Sequence, residues 1–270
     1  MDEVRFSAGT IAGFAVESIL TILIPIILLI VWKKKTGASL KPAITGMIVF
    51  PLFGLVLKLI PGYFLLIADN PVSRAITSNI WLYSIIGGGL LAGIFEEGGR
   101  FVAFRTVLKN FGSGKDAISY GIGHGGFESA YVGFSMMSIL MTAIMVNNGG
   151  MALLTAGMDA VTAETFTAQL KSYADSPFYV FAVLGTFERI CAITVHISFS
   201  VLVFTAARDK KYIWLFPCAI ILHTGLNSMT GFYSSGMVSA VAVELMIAAY
   251  SAIMAFLAFK IYKKVLKTDN

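Results

Sequence analysis

The residues of this chain that could do chemistry are few, and they sit where charge is least expected. In "GIFEEGGRFVAF", Gly93 to Phe104, the residues Glu96, Glu97 and Arg100 interrupt a run of glycine and apolar side chains. "GHGGFE" contributes His124 and Glu128, "FERICAITVH" contributes Glu188, Arg189 and His196, and "HTGLN" contributes His223 and Asn227, so all three histidines are included. On a helix, positions three or four apart share a face, which pairs Glu96 and Glu97 with Arg100, His124 with Glu128, and His223 with Asn227. Arg189 and His196 fall nearly on one stripe, with Glu188 turned aside. Carboxylates and imidazoles in a shielded cavity can deprotonate water and hand the proton to a leaving group. An asparagine or a second histidine beside them can stabilise an oxyanion. His124, His196 and His223 converging on a glutamate would also satisfy a catalytic zinc site with an open water position. No serine or cysteine accompanies the histidines in a nucleophile motif, which argues against covalent serine or cysteine catalysis. HExxH is absent, so the sequence leaves open both the metal and a metal-free mechanism.

The elements that must position these groups are membrane spans. Hydrophobic residues make up 57% of the chain and charged ones 13%, and the mean hydropathy is +0.82, which places the chain in a bilayer. A spanning helix takes roughly 20 mostly apolar residues, and seven such runs are predicted, near 9–32, 43–67, 78–104, 116–147, 177–207, 212–232 and 236–260. The first is too long for a signal-peptide core and lacks a small-residue cleavage site, so it reads as a retained span. The fourth is long enough to be steeply tilted or broken near its glycines, which leaves room for an eighth short element. The whole chain reads as one all-α integral membrane domain over 1–270, with its motif core in 78–232. The long connection Asn147 to Ser176 contains "MDAVTAETFTAQLKSYA", whose apolar spacing fits an interfacial helix or lid as well as a plain loop.

Basic residues set the expected orientation. Lys33, Lys34, Lys35 and Lys41, then Arg105, Lys109 and Lys115, then Arg208, Lys210 and Lys211 follow spans one, three and five, and Lys260, Lys263, Lys264 and Lys267 close the chain; the other side has Arg5, Arg74 and Lys171. Short cytoplasmic loops are enriched in lysine and arginine, so the N-terminus is expected outside and the C-terminus in the cytoplasm. A basic rim facing anionic lipid accounts for the net charge of +5 without nucleic acid. Cys191 and Cys218 lie in apolar runs and build neither a disulfide framework nor a cysteine zinc cluster.

With that topology Glu96, Glu97, His124, His196 and His223 fall within roughly 10 Å of one depth, at 1.5 Å per residue, and can form one layer. Ionisable groups at such depth are expensive unless paired or wet, so each is a functional candidate. Glycines beside them (Gly98, Gly99, Gly121, Gly123, Gly125, Gly126 and Gly225) suit close helix packing or leave room for water and a peptide. Lys58, Glu17 and Glu244 also lie in spans and receive no assigned chemistry.

The motifs "FEEGGR", "GIGHGGFE", "FERICAITVHISFS" and "HTGLN", in that order on successive spans, resemble the YhfC-type family of predicted intramembrane metalloproteases. More distantly the chain looks like the glutamic intramembrane proteases related to CAAX prenyl proteases and bacteriocin-processing enzymes, and like the PrsW-type proteases. The resemblance implies an intramembrane endopeptidase of the cell membrane acting on a membrane-embedded or lipid-proximal peptide. By the same likeness Glu96 or Glu97 is the water-activating base, and Arg100 is the basic residue that keeps the other carboxylate ionised. His124 with Glu128 form the second motif, and His223 with Asn227 the third, which would hold the oxyanion. Their spacing makes Glu188, Arg189 and His196 supporting positions, and the cofactor stays open between zinc, on His124, His196 and His223, and none. The CAAX-type enzymes place one more residue between glutamates and arginine and lack the HGGxE form, so which glutamate is the base stays open. Two other classes use the same residues: a transporter or proton relay built on the buried layer, and a sensor or haem carrier with histidine axial ligands. The first predicts polar groups in both halves of a pathway and often a repeat. The second leaves the glutamates without a role.

Overall fold

The computed structural model describes residues 4–266. Seven helices are long and apolar enough to cross a membrane, and no strand occurs among the described residues. In chain order the helices that matter here are α1 (Ala8–Thr36), α2 (Leu40–Ile67), α3 (Ile80–Arg105), α4 (Gly114–Asn147), the shorter α5 (Ala160–Ala174), α6 (Val180–Arg208), α7 (Lys210–Ser234) and α8 (Ala240–Val265). The seven spans agree with the hydropathy reading to within a few residues. Of the basic tail, Lys267 lies outside the described residues.

Two expectations left open in the sequence are resolved locally. α4 continues unbroken through its glycines, so it yields no eighth element, and the long connection holds a helix, α5, where a plain loop was the alternative. α5 starts where Asp159 caps it: the carboxylate accepts hydrogen bonds from the amide and hydroxyl of Thr162, the N-cap arrangement that aspartate favours. Those bonds, the hydroxyl's foremost, hold the Asp159 carboxyl below its ordinary range.

α2 and α3 depart from regular α geometry. α2 widens into π-helical turns over Phe50–Leu57 and Tyr63–Ile67. Pro51 sits inside the first of these and offers no N–H to the ladder. α3 widens over Tyr83–Leu90, where Gly87, Gly88 and Gly89 follow one another. Such wide turns re-aim side chains and recur at functional sites.

The chain divides into two compact units. One comprises the residues up to Ile24 together with Ser129–Arg189. Its core gathers Phe6, Phe14, Ala143, Val146, Leu170 and Phe181, with Phe14 against the ring of Phe181 at 4.5 Å between centroids. Asn147 ties the start of the chain to the end of α4: its Oδ1 accepts from the Phe6 amide and its Nδ2 donates to the Phe6 carbonyl, both at 2.8 Å. Within this unit Glu17 is buried, and a β-carbon at Gly185 would collide with its carboxylate.

The other unit comprises Pro25–Glu128 and the residues from Ile190 onward. Its main core is built from Phe104, Leu108, Tyr120, Val203, Phe204 and their neighbours, and Val195, Phe199 and Met254 form a further cluster. In this unit α4 is wedged between α2 and α6 through two glycines. A β-carbon at Gly123 would fall on the backbone of Ala43, and one at Gly121 would stand 2.5 Å from the Cα of Ile197. Close backbone approach of this kind is how membrane helices gain packing energy without a hydrophobic driving force.

A G123A change should therefore destabilise the protein by about 1–3 kcal/mol, the usual cost of overpacking a filled site. G98A, at a position with nothing within 4 Å of the added carbon, should not lower the unfolding midpoint. Thermal unfolding of both variants in detergent checks the contrast.

Candidate active site

Four helices of the second unit bring ionisable side chains to one depth. Glu96 lies nine residues before the end of α3 and His124 ten residues into α4, while His196 lies twelve residues before the end of α6 and His223 thirteen residues into α7. At 1.5 Å per residue these positions lie about 14–20 Å along helices whose near ends are joined by the short connections 105–114 and 208–210.

The geometry is a connected network. Arg100, fully buried, donates from one terminal nitrogen to Glu97 Oε2 at 2.9 Å and from the other to His196 Nδ1 at 3.2 Å. Glu97, also fully buried, accepts at Oε1 from His223 Nδ1 at 2.8 Å. Glu96 Oε2 meets His124 Nε2 at 3.2 Å and stands 3.9 Å from His223 Nε2. His196 Nε2 reaches Glu128 Oε2 at 2.5 Å. The structure thus brings together seven of the residues singled out in the sequence: Glu96, Glu97, Arg100, His124, Glu128, His196 and His223. Asn227 is half-buried and donates to the carbonyl of Gly88 at 3.0 Å. Glu188 and Arg189 belong to the other unit and pair with each other.

Proton positions follow from the partners. Arginine only donates, so His196 Nδ1 is an acceptor and its proton resides on Nε2, facing Glu128. An ionised Glu97 only accepts, so His223 carries its proton on Nδ1. His223 Nε2 then holds a lone pair turned toward Glu96 and makes no hydrogen bond with the described residues.

Aromatic rings fix the imidazoles. Phe50 meets His124 edge-on with centroids 5.3 Å apart, Tyr120 stacks beside His124 at 5.9 Å, and Phe199 stacks on His223 at 5.3 Å. Sequence reasoning did not single out Phe50, Phe199 or Tyr120. A signal for Tyr120 was present, since it precedes His124 by four residues and shares its helix face. On α2, Gly46, Phe50 and Gly54 are likewise spaced by four: a β-carbon at Gly46 would hit the α4 backbone at Tyr120 and His124, and one at Gly54 would stand 3.1 Å from Glu96 Cγ.

The donor set fits a divalent metal. Ligand atoms of Glu96, His124 and His196 all lie within 4.8 Å of one another, and all three residues are buried. Two tetrahedral ligand atoms on one zinc stand about 3.4 Å apart, close to the 3.2 Å between Glu96 Oε2 and His124 Nε2. His196 joins this set only by giving up one of its two present partners. The charge balance points the same way: Arg100 pairs with Glu97 alone, while Glu96 and Glu128 meet histidines, and buried negative charge calls for a compensating cation. His124 Nδ1, Arg100 Nε and the Tyr120 hydroxyl are buried without hydrogen-bond partners, which leaves room in the network for a small polar guest.

Fold and site together define a multi-pass membrane protein with a buried carboxylate–imidazole centre able to hold a metal. The family described as YhfC intramembrane metalloprotease matches residues 20–248. The Bacillus subtilis (strain 168) protein described as uncharacterized membrane protein YhfC is 31% identical over 252 residues, 93% of this chain and 95% of that relative. The chain belongs to the YhfC intramembrane metalloprotease family. No solved structure matches it.

Removing one partner from a buried ion pair costs about 3–5 kcal/mol because the other charge is left uncompensated. R100M should lose stability of that order, and adding E97Q to R100M should recover more than half of it. A double-mutant cycle by thermal unfolding in detergent checks this coupling.

Proposed function

We propose that this protein hydrolyses a peptide bond of a protein substrate within or at the edge of the bilayer, with a divalent metal such as zinc held by Glu96, His124 and His196. The observation that carries the chemistry is the orientation of His223: its Nδ1–H is fixed on Glu97 at 2.8 Å, and its Nε2 faces Glu96 across 3.9 Å. The family's description and the buried three-donor group support the metal. An ion bound there supplies polarisation of the scissile carbonyl and acidification of water.

The protein's own groups do the rest. His223 Nε2 accepts the proton of the attacking water as its oxygen bonds to the carbonyl carbon. The resulting imidazolium is stabilised by Glu97, whose ionised state is secured by Arg100, in the way a carboxylate supports histidine in hydrolytic triads. The same proton then passes from Nε2 to the leaving amine as the carbon–nitrogen bond breaks. Glu97 here serves His223 instead of taking the proton itself, and Asn227 keeps its bond to Gly88. His196, which would exchange one of its two partners for the metal, and Glu128 beside it set the far wall of the site. The basic residues at the ends that join α1 to α2, α3 to α4 and α6 to α7 (Lys33, Lys34, Lys35 and Lys41; Arg105, Lys109 and Lys115; Arg208, Lys210 and Lys211) favour a location in the cytoplasmic half of the bilayer.

The test is cleavage of spanning-length peptides by purified protein in proteoliposomes, read by mass spectrometry. Wild type should cut, and H223Q should cut about 10²–10⁴-fold more slowly, the contribution expected of a general base. Wild-type rates in H223Q would remove His223 from the mechanism, and an inert wild type would remove the protease reading.

A further inference from the structure

α2 carries a cation that the network above does not use. Lys58 is half-buried and lies nine residues short of Ile67, the end of its span. At 1.5 Å per residue that is about 14 Å, beyond what its four-carbon stem can cover by snorkelling. No carboxylate, carbonyl or aromatic ring among the described residues engages its ammonium. A charge at that depth is expensive without a partner and marks function by default.

Its place on α2 indicates which partner it lacks. Phe53 lies over Gly99, and Gly54 lies against Glu96, so this side of α2 faces the catalytic layer. Lys58 follows Gly54 by four positions, one turn further along the same side, where its amide bonds back to Phe53 O at 3.2 Å through the widened turn. Past that turn nothing stands within 4 Å of a β-carbon built at Gly62 on α2, and α3 returns to contact at Gly87, whose β-carbon would meet Leu66 at 3.2 Å. The half-buried Lys58 thus follows, by one turn, the position that touches Glu96, in a layer whose carboxylates outnumber its one guanidinium. An acidic group approaching that layer would be repelled by it, and a lysine one turn away offsets the repulsion.

We infer that Lys58 is a substrate-recognition residue whose ammonium receives a carboxylate of the substrate near the scissile bond. The inference rests on the protease reading. The step from Gly54 to Lys58 is about 6 Å along the helix, two residues of an extended peptide. The carboxylate thus belongs within about two residues of the cut, on the side of the layer nearer Ile67. It can come from an aspartate or glutamate side chain or from a free C-terminus.

The experiment uses full-length protein in proteoliposomes and a set of leucine-, alanine- and glycine-based spanning peptides. These carry Asp, Asn or Lys at successive positions beside one cleavable pair, each with a free or amidated C-terminus. Wild type should cleave the best Asp peptide about tenfold or more faster than its Asn counterpart. K58M should bring that ratio to about one, K58R should keep it, and K58E should invert it in favour of the Lys peptide. A preference confined to free-terminus peptides supports the inference and assigns the carboxylate to the chain end. Equal wild-type rates for Asp, Asn and both termini, or a preference that survives in K58M, overturn it while leaving the protease reading intact. Failure of wild type to cut any peptide overturns that reading, and the inference with it.

Discussion

The structure turns on a guanidinium buried in the middle of a membrane protein. Arg100 has no exposed surface, cannot lose its proton, and is held by Glu97 on its own helix and by His196 from α6. Pairing it is a condition of folding, because an unpaired charge at that depth costs several kcal/mol. The same bonds have chemical consequences. By fixing Glu97 as a carboxylate, Arg100 fixes the tautomer of His223 through a hydrogen bond, and by donating to His196 it sets the tautomer there too. One cation thereby determines where two imidazole protons reside.

Around that cation the charge does not balance. Three carboxylates share the network with a single arginine, and the nearest relief within it comes from histidines, which are the commonest metal ligands when neutral. A divalent ion between Glu96, His124 and His196, as proposed, would offset the excess and would require His196 to exchange one of its partners. The close helix packing serves the same end. Glycines at 46, 121 and 123 bring α2, α4 and α6 into backbone contact around the histidines, and Phe50, Tyr120 and Phe199 leave the imidazoles little rotational freedom.

The spans and the polar layer were legible in the sequence for a physical reason. Apolar runs long enough to cross a bilayer have few alternatives, and ionisable residues inside them are rare enough that shared depth brings them together. Glu96, Glu97, Arg100, His124, Glu128, His196 and His223 all lie in one cluster, the Glu96–His124 pair meeting the rest at His223 across 3.9 Å. The azimuth of each helix was less legible. Glu188 and Arg189 sit only eight and seven residues from His196 yet pair with each other in the other unit. Asn227, one turn from His223, is spent on Gly88. Spacing within one helix fixes a shared face but not which neighbour that face meets. The role of α2 was hidden because its contribution is made by glycines and one phenylalanine, and only Lys58 stood out in the sequence.

The claim that the layer is a metal centre is tested most directly by metal content. Detergent-purified wild type, H124A, H196A and H223Q are compared by inductively coupled plasma mass spectrometry after dialysis against a weak chelator. The account predicts near one equivalent of a divalent transition metal in wild type, its loss in H124A and H196A, and its retention in H223Q, where the altered side chain orients a proton and holds no ion. Wild-type protein that stays folded and takes up no metal when zinc is supplied would contradict it.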